Sequence, residues 1–434
     1  MNTYPTYKDS GVEWIGEIPS GWNISKLKYI SNLFTGNSLN QSQKEQYESN
    51  NKDHIPYVSS KDIDVNCHTV NYNNGLRIPP KDNPLKICKN KGFLLCVEGG
   101  SSGRKMTFLK EDVCFVNKLC CFESNQNTKY QYYFIQTSNF QSKFNLSLTG
   151  LIGGVSISTL RNFEIPFPPP QEQQQISDYL DYKTSKIDTI IEKTQQKIEL
   201  LKEQRTSLIN RTVTKGLNPD VEMKDSGVEW IGEVPSRWSV VSLKYLFKII
   251  KRISGELGYD VLSVTQKGLK VKNLDNFQGQ HSMDYSKYQL VFNGDFVMNH
   301  MDLLTGYVDL SNKTGVTSPD YRVFSRVNRN TNNNYFLYIF QLSYTRRIFY
   351  KFGRGVSNLG RWRLPSIEWE YFKVPVPDKD TQQQIVDYLD KETSKIDKLI
   401  DIESRRLDLL KEYRQSLISD VVTGKVDVRD KVLM

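Results

Sequence analysis

The sequence has no run of 18 apolar residues anywhere in its 434, and no apolar segment follows the first methionine. This excludes a spanning helix and gives the expectation of a soluble, non-secreted, cytoplasmic protein with no membrane partner. Histidine is scarce, at four residues (His54, His68, His281, His300), and the six cysteines (Cys67, Cys88, Cys96, Cys114, Cys120, Cys121) all lie in the first third without a C-x-x-C pair. Cys67-His68 comes nearest to a metal pair, but no second pair stands at zinc spacing, so the reading is no metal site and reduced, buried thiols. The adjacent Cys120 and Cys121 read as strand residues facing opposite sides. There is no glycine-rich phosphate loop, no Asn-Pro-Pro-aromatic or Asp-Pro-Pro-aromatic methyltransferase motif and no F-x-G-x-G cofactor loop. Gly353-Arg354-Gly355 lacks the strand-to-helix context of a dinucleotide site. Pro219 to Lys224 carries the P-D and E-x-K of metal-dependent nucleases, but Asp220 and Glu222 are two residues apart in a linker, not on separate strands. No catalytic residue is expected, and no cofactor bound by this chain.

Present instead is a long helix, and it occurs twice. Gln173 to Thr212 contains neither proline nor glycine. Its apolar residues fall on a heptad seam, Leu180, Ile187, Ile191, Ile198, Leu201 and Leu208, interrupted at Thr194 and Arg205. The same seam returns 209 residues later as Leu389, Ile396, Ile400, Leu407, Leu410 and Leu417. The two helices are each other's obvious partner. The opening repeats as well: Lys8–Trp22 (KDSGVEWIGEIPSGW) and Lys224–Trp238 (KDSGVEWIGEVPSRW) match at thirteen of fifteen positions. Two repeats are too few for a solenoid and suggest a pseudo-twofold molecule.

Between opening and helix lie two middles that resemble each other little, about 23–164 and 239–373. Both keep short β-branched and aromatic runs separated by Gly, Asn and Asp clusters (92–97, 113–123, 259–265, 288–298), with helices expected at 129–144 and 333–352. Each closes on a proline-rich hinge, Pro166-Phe167-Pro168-Pro169-Pro170 or Pro375-Val376-Pro377, after which a helix begins. The fold class is therefore α+β. Two pseudo-twofold-related domains of twisted, mostly antiparallel sheet with short helices are joined by two long helices packed on each other as a coiled coil. The division read from the sequence is 1–165 (first domain), 166–216 (hinge and first helix), 217–373 (second domain) and 374–434 (hinge, second helix and tail). Like parts should meet like partners, and unlike middles different targets.

Net charge is +9 and pI about 9.0, favouring a polyanionic partner. The strongest local signal is Gln341–Arg363, with six Arg or Lys, no acid and interleaved aromatics. Arg346, Arg347 and Lys351 at helical spacing could face one phosphate rail. Arg354, Ser357, Asn358, Arg361 and Arg363 form a Gly-rich, Arg-tipped loop suited to a groove. The first half offers a weaker equivalent in Ser101, Ser102, Arg104, Lys105 and Lys118.

These features together resemble the specificity subunits of type I restriction–modification systems. The resemblance is carried by the two V-E-W-I-G-E-x-P-S-x-W openings (Val12–Trp22, Val228–Trp238) and by P-x-P-P-P-Q-E-Q at Pro166–Gln173. It is carried also by Thr-Ser-Lys-Ile-Asp at 184–188 and 393–397, the Leu-Leu-Lys-Glu-x-Arg-x-Ser-Leu-Ile runs at 200–209 and 409–418, and the ending Val422–Arg429. The second hinge, Pro377-Asp378-Lys379-Asp380-Thr381-Gln382, departs from the pattern. The resemblance implies that each middle is a target recognition domain reading one half of a split double-stranded DNA site. It implies that the helices pack as an antiparallel coiled coil and act as a ruler, and that two methyltransferase subunits dock on helix and hinge while restriction subunits join for cleavage. S-adenosylmethionine, Mg2+ and ATP would be held by those partners. It transfers no base-reading residue, because the middles vary. The competing readings are a stand-alone DNA-modifying enzyme, which needs the cofactor loop or carboxylates missing above, and a coiled-coil scaffold that binds no DNA.

Overall fold

The computed structural model describes residues 2–81, 83–124, 126–150, 153–273, 284–328, 330–356 and 361–430. The chain folds as two compact units, residues 1–195 with 405–434, and residues 196–404. This division cuts both long helices, so each unit holds one half of each.

The first long helix is Pro170–Lys215 and the second Lys379–Val422. Pro170 occupies the first helical position, where its missing N–H costs nothing and its φ is already helical. The departing second hinge starts its helix by other means. Asp378 Oδ1 accepts from Thr381 N at 2.9 Å and its Oδ2 from the Thr381 hydroxyl at 2.7 Å, an acidic N-cap in place of the prolines.

Within each unit the two helix halves run antiparallel. In the second unit Lys197 pairs with Glu403 at 2.6 Å and Arg205 with Asp397 at 2.8 Å, so one number rises as the other falls. In the first unit Arg414 pairs with Asp188 at 2.7 Å. Arg205–Asp397 and Arg414–Asp188 are the same pair in the two repeats. The arginine that interrupts the apolar seam is thus matched by an aspartate on the neighbouring helix. Such a half-exposed pair contributes at most about 1 kcal/mol; its weight is in register, since a polar seam residue penalises slipped alignments. Leu180, Ile187 and Leu417 in the first unit, and Ile198, Leu201, Leu389 and Ile396 in the second, are buried. Ile191, Leu407 and Leu410, and Leu208 and Ile400, are half-buried in their respective units.

The two middles share a topology that their sequences conceal. In the first unit one sheet has the order Arg77–Ile78, Ile55–Val58, Val113–Phe115, Ile87–Cys88. The other has the order Asn32–Thr35, Leu119–Glu123, Phe93–Cys96, Met106–Phe108. The second unit repeats both orders with Gly268–Val271, Val261–Thr265, Gly315–Thr317, Gln289–Val291, and with Phe247–Ile250, Arg322–Arg326, Phe296–Met298, Val308–Leu310. All pairings are antiparallel except one in each unit, 55–58 with 113–115 and 261–265 with 315–317. The helices fall at Thr128–Phe134 and Ser138–Leu146, and at Asn333–Thr345.

Each middle is closed by a strand pair that joins its first residues to its hinge, 23–26 with 164–167 and 239–242 with 373–376. A buried tyrosine then ties hinge to helix end. Tyr130 Oη lies 3.0 Å from both the Pro166 and Val422 carbonyls. Tyr335 Oη lies 3.1 Å from the Pro375 carbonyl and 3.0 Å from that of Val213. Their helices are capped by Asn127 and Asn332, whose amides also reach Gln174 and Gln383 on the long helices, at 2.9 and 2.8 Å. Removing either hydroxyl leaves two buried carbonyls without that donor. Tyr130→Phe and Tyr335→Phe are therefore each expected to lower unfolding free energy by about 1–3 kcal/mol in denaturant titrations, with helix content unchanged before the transition.

One cysteine expectation is corrected. Cys88 and Cys121 form a disulfide joining the two sheets of the first unit, while Cys96, Cys114 and Cys120 are free and buried. Their separation of 33 residues carries no motif, and only the stacking of strand 87–88 near strand 119–123 brings the sulfurs together. Cys120 packs in the core beside Phe93 and Phe122, and Cys121 in the cluster around Phe115. They face opposite sides of one strand.

Candidate nucleic-acid interface

The sequence singles out one loop in each half, and the fold gives each of them a partner loop. In the first unit the turn 97–105 links strands 93–96 and 106–108. Gly99 and Gly103 have φ of 90° and 76°, a region open to glycine at little cost. A Cβ on Gly103 would stand 2.8 Å from Phe144, so the turn is seated directly on the 138–146 helix. Arg104 is exposed, Ser101 half-buried, and Ser102 buried with its hydroxyl unpartnered among the described residues. Ser102 therefore faces inward. Lys105 Nζ donates to the Ser60 carbonyl at 2.7 Å. Asn117 and Lys118 are exposed on the neighbouring turn, which joins this one through Val97 N to the Lys118 carbonyl at 2.9 Å.

The partner loop, 149–156, was not singled out from the sequence. Gly99 N reaches the Gly153 carbonyl at 2.9 Å and Val155 N the Val97 carbonyl at 2.9 Å. The two loops enclose an open groove of about 600 Å³ lined by Glu98, Asn117, Thr149, Gly153, Gly154 and their neighbours. Its sequence signal is the glycine-rich run 150–154, which carries no charge and so does not stand out among the basic stretches.

The second unit repeats the arrangement with the roles reversed. The basic hairpin pairs Arg354–Val356 with Arg361–Arg363, setting Arg354 opposite Arg363. Like charges at directly opposed positions destabilise a hairpin, so this sequence suits a polyanionic partner. Arg354 pairs with Glu368 at 2.7 Å while its side chain stays 73% exposed. Ser357 and Asn358 lie outside the described residues, as does the side chain of Arg361. Trp362 Nε1 donates to the Tyr350 carbonyl at 2.9 Å, and its indole lies where any Cβ on Gly353 would be. The partner loop here is 299–306, joined by Leu303 N to the Trp362 carbonyl at 3.1 Å and Leu364 N to the His300 carbonyl at 2.9 Å. Beneath them buried Arg322 donates to the Leu364 carbonyl at 2.9 Å and fixes the hairpin's base. Burial and the nearby Arg322 and Arg363 charges push His300 down to about 3.

The helical spacing of Arg346, Arg347 and Lys351 is corrected. The helix ends at Thr345, Arg346 is its C-cap, and Arg347 has φ of 55°. Lys351 sits on a separate turn of 3-10 helix, Phe349–Phe352. Arg346 donates to Asn210 Oδ1 at 2.6 Å and Lys351 pairs with Glu229 at 2.7 Å. The break lies at Arg347, whose positive φ no continuing α-helix allows; the chain resumes as the 3-10 turn with Ile348 and Phe349 buried.

Cys88, Cys121 and Glu123 gather metal-ligating types within 4.8 Å of one another, but two of the three are committed to the disulfide. Among the described residues, no helix is long and apolar enough to cross a membrane.

Comparison with known proteins agrees with this geometry. A family model for the type I restriction modification DNA specificity domain matches residues 19–200 and again 235–412. The MjaVIII type I specificity subunit of Methanocaldococcus jannaschii is 24% identical over 366 residues, 80% of this chain and 81% of that protein. The putative MjaX specificity subunit of the same organism is 25% identical over 96% of each chain. A chain in a solved structure concerning assembly and conformational transition of the type I R-M system has the same fold. It matches with a TM-score of 0.63 at 13% identity over 94% of this chain and 99% of that one. With the domain matched twice, in the order the repeats require, the chain belongs to the family of type I restriction–modification specificity subunits.

Proposed function

We propose that this subunit reads a bipartite double-stranded DNA site, one half with each unit. In this reading it docks two adenine methyltransferase subunits and, for cleavage, restriction subunits, and has no catalytic group of its own. S-adenosylmethionine, Mg2+ and ATP belong to those partners, and the complex works in the cytoplasm. The observation that carries the reading is the combination of identical strand order with unlike loops. One scaffold is used twice, and the sequences laid on it, the paired loops among them, differ between the copies. The long helices keep the halves of the DNA site at a fixed spacing. The test is to express the chain with its methyltransferase partner in a host lacking the system and to map methylated adenines. A split motif that vanishes without this chain supports the reading, and an unsplit motif contradicts it.

Docking of like partners is supported by exposed apolar residues at matched places on the helices. Leu200 and Leu409, equivalent in the repeats, are 64% and 63% exposed, and Ile190 and Leu399 are also equivalent and exposed. On the heptad these positions flank the seam on one side, so each unit carries one such pair, Ile190 with Leu409 or Leu200 with Leu399. Leu200→Asp with Leu409→Asp is expected to weaken co-purification of the methyltransferase at least tenfold while circular dichroism and DNA retention persist. Undiminished co-purification would place the docking surface elsewhere.

A further inference from the structure

The groove of the first unit holds a carboxylate, Glu98, which a surface that met only phosphates would not use. Glu98 lies on its wall between Val97, whose N–H bonds to the Lys118 carbonyl, and the paired loop, where it bridges Gly154. Its Cγ is 3.5 Å from where a Cβ on Gly154 would be, so the glycine leaves room for the side chain in the groove. Among the described residues it makes no ion pair, although Lys105 and Lys118 both lie close enough to act, with Glu98, on the Cys96 thiol. A phosphate would be repelled by this carboxylate. A base edge with an exocyclic amino group would be attracted, because that amino group donates. Asn117 lines the same groove, its Oδ1 accepting from Ser38 Oγ at 2.7 Å; Lys118 is exposed next to it in the chain, and Arg104 is exposed on the adjoining turn with its guanidinium on the Gly100 carbonyl.

Resting on the DNA-reading function proposed above, we propose that Glu98 is a specificity-determining residue of the first unit. It accepts a hydrogen bond from the N4 amino group of a cytosine in the major groove. Arg104 and Lys118 hold the flanking phosphates. The sequence alone did not select this residue, since a single Glu beside a basic turn reads as a solvated charge.

The test uses the intact subunit with its methyltransferase partner and maps methylated sites genome-wide. Glu98→Ala is expected to relax preference at one position, cytosine falling by roughly 10- to 100-fold against the other bases there. Glu98→Gln is expected to move that position toward adenine, whose N6 and N7 suit an amide. In both, the half-site read by the other unit stays unchanged. Lys118→Ala instead should weaken every sequence alike and reduce the salt slope of binding by about 1. An unaltered motif in both Glu98 variants overturns the proposal, as does a uniform loss across all sites, which marks a structural or phosphate-side role. If the wild-type complex itself shows no motif dependent on this chain, the DNA-reading function fails, and that failure is distinguishable from an unaltered motif.

Discussion

Adding four residues to each long helix, after Gln195 and after Ser404, is expected to lengthen the spacer between the two DNA half-sites by roughly one or two base pairs, with both half-site sequences unchanged. Four residues add about 6 Å of helix and are close to one full turn, so the apolar seam nearly keeps its phase. Those insertion points fall between the compact units in the sequence. The pairs that align the helices inside each unit, Arg414–Asp188 in one and Lys197–Glu403 and Arg205–Asp397 in the other, are left intact. At ~3.4 Å per base pair the added length matches one to two steps of DNA. Leu201→Pro at the buried seam should act differently: it removes a helical hydrogen bond, clashes with the preceding turn and costs about 3 kcal/mol or more. Split-site methylation should then be lost while each unit still retains DNA. Mapping methylated sites in both variants is the measurement; an unchanged spacer in an active insertion variant would remove the helices from the ruler role.

A chain carrying the first middle in both positions, with 23–167 replacing 239–376, is expected to direct methylation to a site whose second half is the inverted copy of the first. The joints favour the graft. Strands 23–26 and 164–167 pair in the same register as 239–242 and 373–376. Tyr130 would meet the helix-end carbonyl of Val213 that Tyr335 now meets, because both tyrosines make the same two bonds in their own units. If the two units meet DNA through a twofold, identical readers require a symmetric site. The original asymmetric motif should disappear altogether. Its persistence would mean that sequence is read outside the middles.

The long helices were legible because a heptad is a one-dimensional pattern, and their starts because a proline hinge precedes each; the Asp378 cap of the second shows only in the structure. The common topology of the middles was not, because strands of two to five residues in a sheet need only be apolar and correctly spaced. Cys88 and Leu290 can therefore occupy corresponding strands. The candidate interface was half legible. Charge selected 99–105 and 353–363, but their partners 149–156 and 299–306 are uncharged or acidic, and only the hydrogen bonds between loops reveal them. Arg346, Arg347 and Lys351 show the opposite error: helical spacing was read through a point where Arg347, at φ 55°, ends the helix. The arginine in the apolar seam looked like a defect until Asp188 and Asp397 were seen beside the two copies.

The most direct test of the central claim, one scaffold used twice to read two halves of a DNA site, is single-molecule methylation sequencing. It would compare a host carrying this chain with its methyltransferase partner against the same host carrying the partner alone. The account predicts a motif present only with this chain, made of two unlike specific halves separated by a fixed run of unspecified bases, with a methylated adenine in each half. A motif that is continuous, or that is methylated equally without this chain, would contradict it.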